Sequence, residues 1–311
     1  PGLEGPAATG GQHCSMAGEA GEDEAPVGEG KSRPGPRSAP RARADGDAKG
    51  QPLTKEVLLS LTTTQAKVKG ETPEHFLQRL THLQLQAQRL GPSLQRLDIV
   101  TGATVVFAYD NLISSLSGFE HLRKLQLLYL QNNKLATLAG IETLVNLKTL
   151  HVSHNRLTRI EGLEGMRQLE ELHCAHQNER PGIPQTSLQF CEESMAAIGG
   201  TLQVLDASNN SVEDVASLQH LGNLRTLDLS NNFIPSVNHI GYMLQSEALT
   251  KVTLANNPLT TQDRNYRSKV VLVAPAVEEI DGKGVLPTER DFVMRLAEQK
   301  RRAEVQRRAQ M

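Results

Sequence analysis

Aliphatic residues recur on a fixed interval between residues 80 and 260, and each set ends at an amide side chain. Asn111, Asn133 and Asn155 stand 22 apart, as do Asn210 and Asn232, and Asn257 continues the series. Gln177 falls 22 after Asn155 and Gln88 falls 23 before Asn111, so glutamine takes the same slot twice. Eight, five and three residues before these anchors come Leu125, Leu128 and Leu130, then Leu147, Leu150 and Val152, then Leu202, Leu205 and Ala207. Leu224, Leu227 and Leu229, and Leu249, Val252 and Leu254, repeat the set. Two residues after the anchors stand Ile113, Leu135, Leu157, Val212, Ile234 and Leu259.

The pattern reads L-x-x-L-x-L-x-x-N-x-L, the signature of a leucine-rich repeat. Its alternating x-L-x-L-x part predicts a short strand with one buried face. The anchor amide ends the strand and satisfies backbone groups in the turn. A glutamine there, one methylene longer, is expected to fit less well. The second half of each unit carries apolar residues three apart, as at Ile160, Leu163 and Met166 or Val215, Leu218 and Leu221. That spacing predicts tight 3₁₀ turns. One unit cannot bury both faces, but a stack can. The expected fold is therefore an α/β leucine-rich-repeat solenoid, with parallel strands on the concave face and helical caps at both ends. Eight strands ~4.8 Å apart give an inner face roughly 35 Å long.

Outside the repeats the pattern changes. Residues 1–50 are rich in Gly, Pro, Ala and charge without apolar periodicity, so a disordered tail is expected there. Residues 51–79 predict an N-terminal helical cap. One short helix lies near 53–61 with Thr54 as N-cap, and a second spans 73–80 with Pro73 in its first turn. The spacing from Gln177 to Asn210 is 33, which leaves an insert at 178–200 with a helix from about Ser187 to Ile198. Residues 261–287 predict a C-terminal repeat cap built on Tyr266, Val270, Val273, Pro275, Val277 and Ile280. A basic helical tail follows at 288–311. Thr288 and Asp291 are expected to cap its start, and Phe292, Leu296 and Val305 to mark its apolar stripe.

Composition narrows the class. The 311 residues carry 33 basic and 35 acidic side chains, a net charge of −2, which gives no footprint for nucleic acid. No uncharged apolar run approaches the ~18 residues of a membrane helix, so no membrane contact is expected. No basic stretch followed by an apolar core marks a secretory signal, and the sequence opens on Pro, which leaves open an incomplete or processed start. Three cysteines are too few for a disulfide framework, which points to a reducing cytoplasmic setting.

The register also assigns the face of each strand residue. The central exposed row is Gln84, Phe107, Tyr129, His151, His173, Asp206, Asp228 and Thr253. Val105 and Leu127 fall in one flanking row and Tyr109 in the other. Aromatic residues are 3 % of this chain and Trp is absent, so their gathering at Phe107, Tyr109 and Tyr129 is informative. Val105, Phe107, Tyr109, Leu127, Tyr129, His151, His173, Asp206 and Asp228 are the candidate partner-binding residues. No cofactor is expected. His173, Cys174, His176 and Cys191 have the right chemistry for zinc. Adjacent strand residues point oppositely, however, so His173 and Cys174 cannot share one ion, and no metal is expected. Asp206 and Asp228 lack the further groups of an active site. The chain is read as a non-enzyme.

Several runs add a likeness. They are Ile160-Glu161-Gly162-Leu163-Glu164-Gly165, Leu169-Glu170-Glu171-Leu172-His173, the irregular insert, Leu205-Asp206-Ala207-Ser208-Asn209-Asn210, and Ile280–Lys283. Together they resemble the leucine-rich regulatory subunits of protein phosphatase 1, over about residues 53–300. The resemblance implies a non-enzymatic scaffold that binds the protein phosphatase 1 catalytic subunit, near the cytoskeleton, a microtubule-organising centre, the centrosome or a cilium. It leaves open a structural ciliary or axonemal role on tubulin, dynein or other centrosomal and ciliary proteins, without phosphatase control. Thr104-Val105-Val106-Phe107 resembles a phosphatase-docking peptide but lacks basic residues, and Val106 falls in a core slot.

Overall fold

Each anchor closes a three-residue strand, and the strands lie side by side in sequence order. The computed structural model describes residues 50–61, 67–177 and 186–310. The expected tail, up to residue 49, lies outside the described residues, as do 178–185 of the insert. The N-terminal cap contains α1 (Lys55–Leu61) and α2 (Pro73–Gln78). The repeats supply β1 (His82–Gln84), β2 (Val105–Phe107), β3 (Leu127–Tyr129), β4 (Thr149–His151), β5 (Arg159–Ile160), β6 (Glu171–His173) and β7 (Gln189–Phe190). After α3 (Glu192–Ile198) come β8 (Val204–Asp206), β9 (Thr226–Asp228), α4 (Gly241–Leu244), β10 (Lys251–Thr253) and α5 (Pro258–Thr261). The C-terminal cap is α6 (Tyr266–Val273), β11 (Glu279–Ile280), β12 (Lys283–Gly284) and α7 (Pro287–Ala309). One sheet runs β1-β2-β3-β4-β6-β8-β9-β10-β11-β12, and β12 alone is antiparallel to its neighbour. The three-residue apolar spacing yields 3₁₀ turns at Gln95–Ile99, Phe119–His121, Ala216–His220 and Val237–Ile240.

The leucine slots form one continuous core. Leu125, Leu128, Leu130, Leu147, Leu150, Val152, Leu205 and Leu227 are all completely buried. A buried side chain of this size contributes about 1.5–3 kcal/mol over an exposed one. The anchors hold the turns behind that core. Asn133 Nδ2 donates to the carbonyls of Ala108 (2.9 Å) and Leu130 (2.9 Å), and its Oδ1 accepts from Ile113 N–H (3.0 Å). Asn155 and Asn232 repeat the arrangement one and four strands further on in the sheet. The residue before each anchor is left-handed, with φ between +55 and +60° at Ala87, Asp110, Asn132, His154, His176, Asn209, Asn231 and Asn256. Asn, Asp and His are the side-chain-bearing types that tolerate that region best.

Four expectations need correction. Gln177 fits its turn as well as any asparagine. It is buried, donates to Val152 O (2.9 Å), Cys174 O (3.2 Å) and Ala175 O (3.2 Å), and accepts from Leu157 N–H (3.0 Å). In the insert the helix starts at Glu192 rather than Ser187, because Gln189 and Phe190 form β7 and pair with β5 beside the main sheet. Thr288 and Asp291 do not cap α7. Its N-cap is Leu286, and Pro287 supplies the helical φ of the first turn. Finally, Phe292, Leu296 and Val305 remain exposed, while Val293 is the residue of α7 that is buried.

Both ends are closed by polar contacts as well as apolar ones. Thr72 caps α2 by accepting from His75 N–H, and Phe76 and Leu77 are buried. At the other end Arg290 donates to the carbonyls of Val271 (3.2 Å), Ala274 (2.9 Å) and Val277 (2.6 Å). Those are carbonyls at the end of α6 and just beyond it, where a helix lacks internal partners.

Candidate protein-binding face

Parallel pairing in strict register turns the repeat into a ladder of side chains. Gln84, Phe107, Tyr129, His151, His173, Asp206, Asp228 and Thr253 occupy matching positions on consecutive strands of the sheet. Their side chains share the face opposite the leucine core. Phe107 and Tyr129 stack at 5.0 Å between centroids and 19° between planes. Tyr129 stacks on His151 at 4.8 Å and 17°, and His151 on His173 at 3.9 Å and 2°. Four flat rings thus form one unbroken pile across β2, β3, β4 and β6. All four are half-buried, leaving their outer edges open.

The two acids continue the row. Asp206 Oδ1 accepts from Ser208 N–H (3.1 Å) and Oγ (2.8 Å), and Asp228 Oδ1 from Ser230 N–H (2.9 Å) and Oγ (2.7 Å). A serine two residues on therefore pins each carboxylate. His173 lies between two acids, with Nδ1 3.9 Å from Asp206 and Nε2 3.8 Å from Glu171. Burial and the neighbouring His173 push the His151 imidazole down to about 4, partly opposed by Asp206, so it is neutral at physiological pH. Burial raises the Asp206 carboxyl, but the nearby His173 and the bonds from Ser208 more than offset this and leave it below the ordinary range. Burial first, and the charge of Glu171 second, raise the Tyr129 hydroxyl.

The remaining candidates divide. Tyr109 and Leu127 are half-buried on the same face. Val105 is buried at 8 % exposure, a correction to its place among the binding residues. It sits between His82 and Leu127 in the flanking row, where neighbouring side chains cover so short a residue. Val106 is fully buried, so Thr104–Phe107 is a strand and not an available peptide. Cys174 is fully buried on the core side, which raises its thiol pKa and separates it from His173. Two features escaped the sequence reading. Glu171 joins His151 and His173, with one ligand atom of each within 4.8 Å of the others. His154 and His176 form a second ring stack, at 4.4 Å and 11°. The first could have been found from Glu171 and His173 two apart on a strand, with a histidine 22 residues before His173.

Comparison with known proteins agrees with this geometry. The model for Leucine Rich repeats (2 copies) matches residues 145–182 and 201–242. An uncharacterized Caenorhabditis elegans protein is 31 % identical over 103 residues, 33 % of this chain and 21 % of its own length. Leucine-rich repeat-containing protein 36 of Mus musculus is 30 % identical over 90 residues, 29 % of this chain and 12 % of its own. A probable U2 small nuclear ribonucleoprotein A' of C. elegans is 34 % identical over 97 residues, 30 % and 38 % respectively. The chain thus spans well under half the length of these curated relatives. Among solved structures, internalin C2 of Listeria monocytogenes superposes with a TM-score of 0.54 at 21 % identity, over 66 % of this chain and 84 % of that one. A leucine-rich-repeat protein of Leptospira interrogans gives 0.51 at 20 %, over 73 % and 57 %. At such identities the likeness concerns the fold. Repeat, register and comparison meet in one conclusion: this chain folds as a leucine-rich-repeat solenoid.

Proposed function

We propose that this chain is a non-enzymatic scaffold that binds a protein partner on its concave face. The carrying observation is the pile of Phe107, Tyr129, His151 and His173, which runs into Asp206 and Asp228. Rings locked by stacking lose little freedom on binding, and clustered aromatics carry most hot-spot energy. The row is apolar at one end and acidic at the other. It therefore suits a segment with an apolar or aromatic side chain followed by basic ones, with Tyr109 and Leu127 beside it. Neither nucleic acid nor a membrane fits such a face, and no helix among the described residues is long and apolar enough to cross a bilayer.

The finer reading is a regulatory subunit of protein phosphatase 1, cytoplasmic and associated with the cytoskeleton, centrosome or cilium. It rests on the likeness of the runs at 160–165, 169–173, 205–210 and 280–283 to protein phosphatase 1 regulatory subunit 42, also called the testis leucine-rich repeat protein. The test is capture of the purified phosphatase catalytic subunit by the full chain, beside a Phe107→Ala/Tyr129→Ala variant. The variant is expected to bind about 2 kcal/mol more weakly, roughly 30-fold in Kd, with its circular dichroism unchanged. Equal affinity would remove the ladder from the contact, and no wild-type binding would remove the phosphatase.

The exposed part of α7 favours a second reading. Lys300, Arg301, Arg302, Arg307 and Arg308 lie on it, all solvent-facing. A structural protein that meets tubulin or dynein through this helix should lose microtubule co-sedimentation when 294–311 is removed, most clearly at low salt. Retained co-sedimentation would set the helix aside.

A further inference from the structure

We infer that His151, Glu171 and His173 form a site for a divalent transition metal, with zinc the first choice. The sheet makes the arrangement. Glu171 and His173 are two apart on β6, so both face outward, and His151 lies directly opposite His173 on β4. One ligand atom from each comes within 4.8 Å of the other two. Two ligands bound at ~2.1 Å in tetrahedral geometry are about 3.4 Å apart. Glu171 Oε2 and His173 Nε2 already stand 3.8 Å apart.

The surroundings supply a second, independent argument. His173 turns its other nitrogen, Nδ1, toward Asp206 Oδ2 at 3.9 Å. Two bonds from Ser208 hold Asp206 in place. A carboxylate behind a ligating histidine is the usual outer partner of a metal site, where it fixes the tautomer and the ring. Two imidazoles and one carboxylate suit zinc, nickel or copper better than calcium or magnesium. Three protein ligands leave a coordination position for water or for a side chain of a bound partner.

One adjustment is required. The imidazoles of His151 and His173 are parallel, so their in-plane lone pairs do not converge. The His151 ring must turn about its side-chain bonds to meet the ion, leaving the stack with Tyr129 and His173. The chain has no Trp and four Tyr, so tyrosine emission can follow that movement.

The experiment uses the reduced, untagged full chain. Zinc is titrated by calorimetry, and nickel by quenching of tyrosine emission, with Tyr129→Phe assigning the signal. One zinc per chain is expected, with a Kd at or below about 10 µM. His151→Ala/His173→Ala should weaken binding at least 100-fold. Asp206→Asn, acting through His173, should weaken it about 10-fold or more. His154→Ala/His176→Ala, which removes the second histidine stack, should leave it unchanged. Circular dichroism in EDTA checks the fold of each variant, and Glu171→Gln carries the test should the double variant fail to fold. Absence of zinc binding to the wild type, or binding unchanged by loss of His151 and His173 or of the Glu171 carboxylate, would overturn the site. So would binding that disappears with His154 and His176.

Discussion

Phe107 and Tyr129 stack across β2 and β3 with their ring centroids 5.0 Å apart, and Tyr129 hands the same contact to His151 on its other face. Strand spacing alone would place any two aromatic residues here near each other, so what matters is whether the rings attract. A double-mutant cycle on Phe107→Ala and Tyr129→Ala, read by urea unfolding, should give a coupling of about 0.5–1.5 kcal/mol. Additive losses would mean that the rings are neighbours and nothing more.

Gln177 and Gln88 occupy the same repeat slot but should respond differently to loss of the amide. Gln177→Ala removes the buried acceptor of the Leu157 N–H and one of the two amide donors to Val152 O, the other being Asn155. The expected cost is about 1–3 kcal/mol. Gln88 is half-buried, and its side-chain nitrogen bonds to Gln86 O within the same turn. Gln88→Ala should change stability by less than about 0.5 kcal/mol. Equal effects in chemical denaturation would contradict this account of the anchor.

Asp281 completes the sheet edge where β11, the parallel strand beside β10, stops at Ile280. Along the solenoid the residue after each strand donates its N–H to a carbonyl of the next strand, as Leu130 does to His151 (2.7 Å) and Leu229 to Thr253 (2.9 Å). Leu254 has no further repeat beside it and donates to Asp281 Oδ1 at 2.6 Å. Tyr266 Oη donates to Oδ2 at 2.5 Å, and burial together with this bond pushes the phenol up to about 12. Asp281→Ala should speed hydrogen exchange at the Leu254 amide by at least 10-fold and cost about 1–3 kcal/mol. Asp281→Asn, which keeps an acceptor, should lie between that variant and the wild type.

The N-terminal cap should loosen in acid before the repeats do. Arg79 grips Glu71 through Nε (2.5 Å) and Nη2 (2.8 Å), and Val68 N–H (2.9 Å) and His75 Nδ1 (2.9 Å) also meet its carboxylate. The bond from Arg79, above all, lowers its pKa from 4.5 to about 2. A folded value below the unfolded one means that this stabilisation is complete above pH 4.5 and is lost as pH falls toward 2. Limited proteolysis with an acid-active protease should cut near residues 67–80 increasingly over that range. Glu71→Gln should show the cuts already at neutral pH, read with a protease active there. A pH-independent pattern in the wild type would show that the cap does not depend on this carboxylate.

The 22-residue period determined a large part of this molecule. A strand alternates with period two, so once Leu128 is placed in the core, Leu127 and Tyr129 must face outward. Parallel pairing between equal repeats then fixes which residues lie opposite, and the row from Gln84 to Thr253 follows without any knowledge of distances. Tertiary structure decided what depends on side chains meeting, mostly from one repeat to the next. Only there does His151 lie flat on His173, Glu171 close the group, and Val105 become covered by its neighbours. Only there does Gln177 find Val152, Cys174 and Leu157 at bonding distance, so that the longer side chain serves as well as asparagine. Periodicity assigns each residue a face, whereas contact depends on size, rotamer and partner, and those are properties of the packed stack.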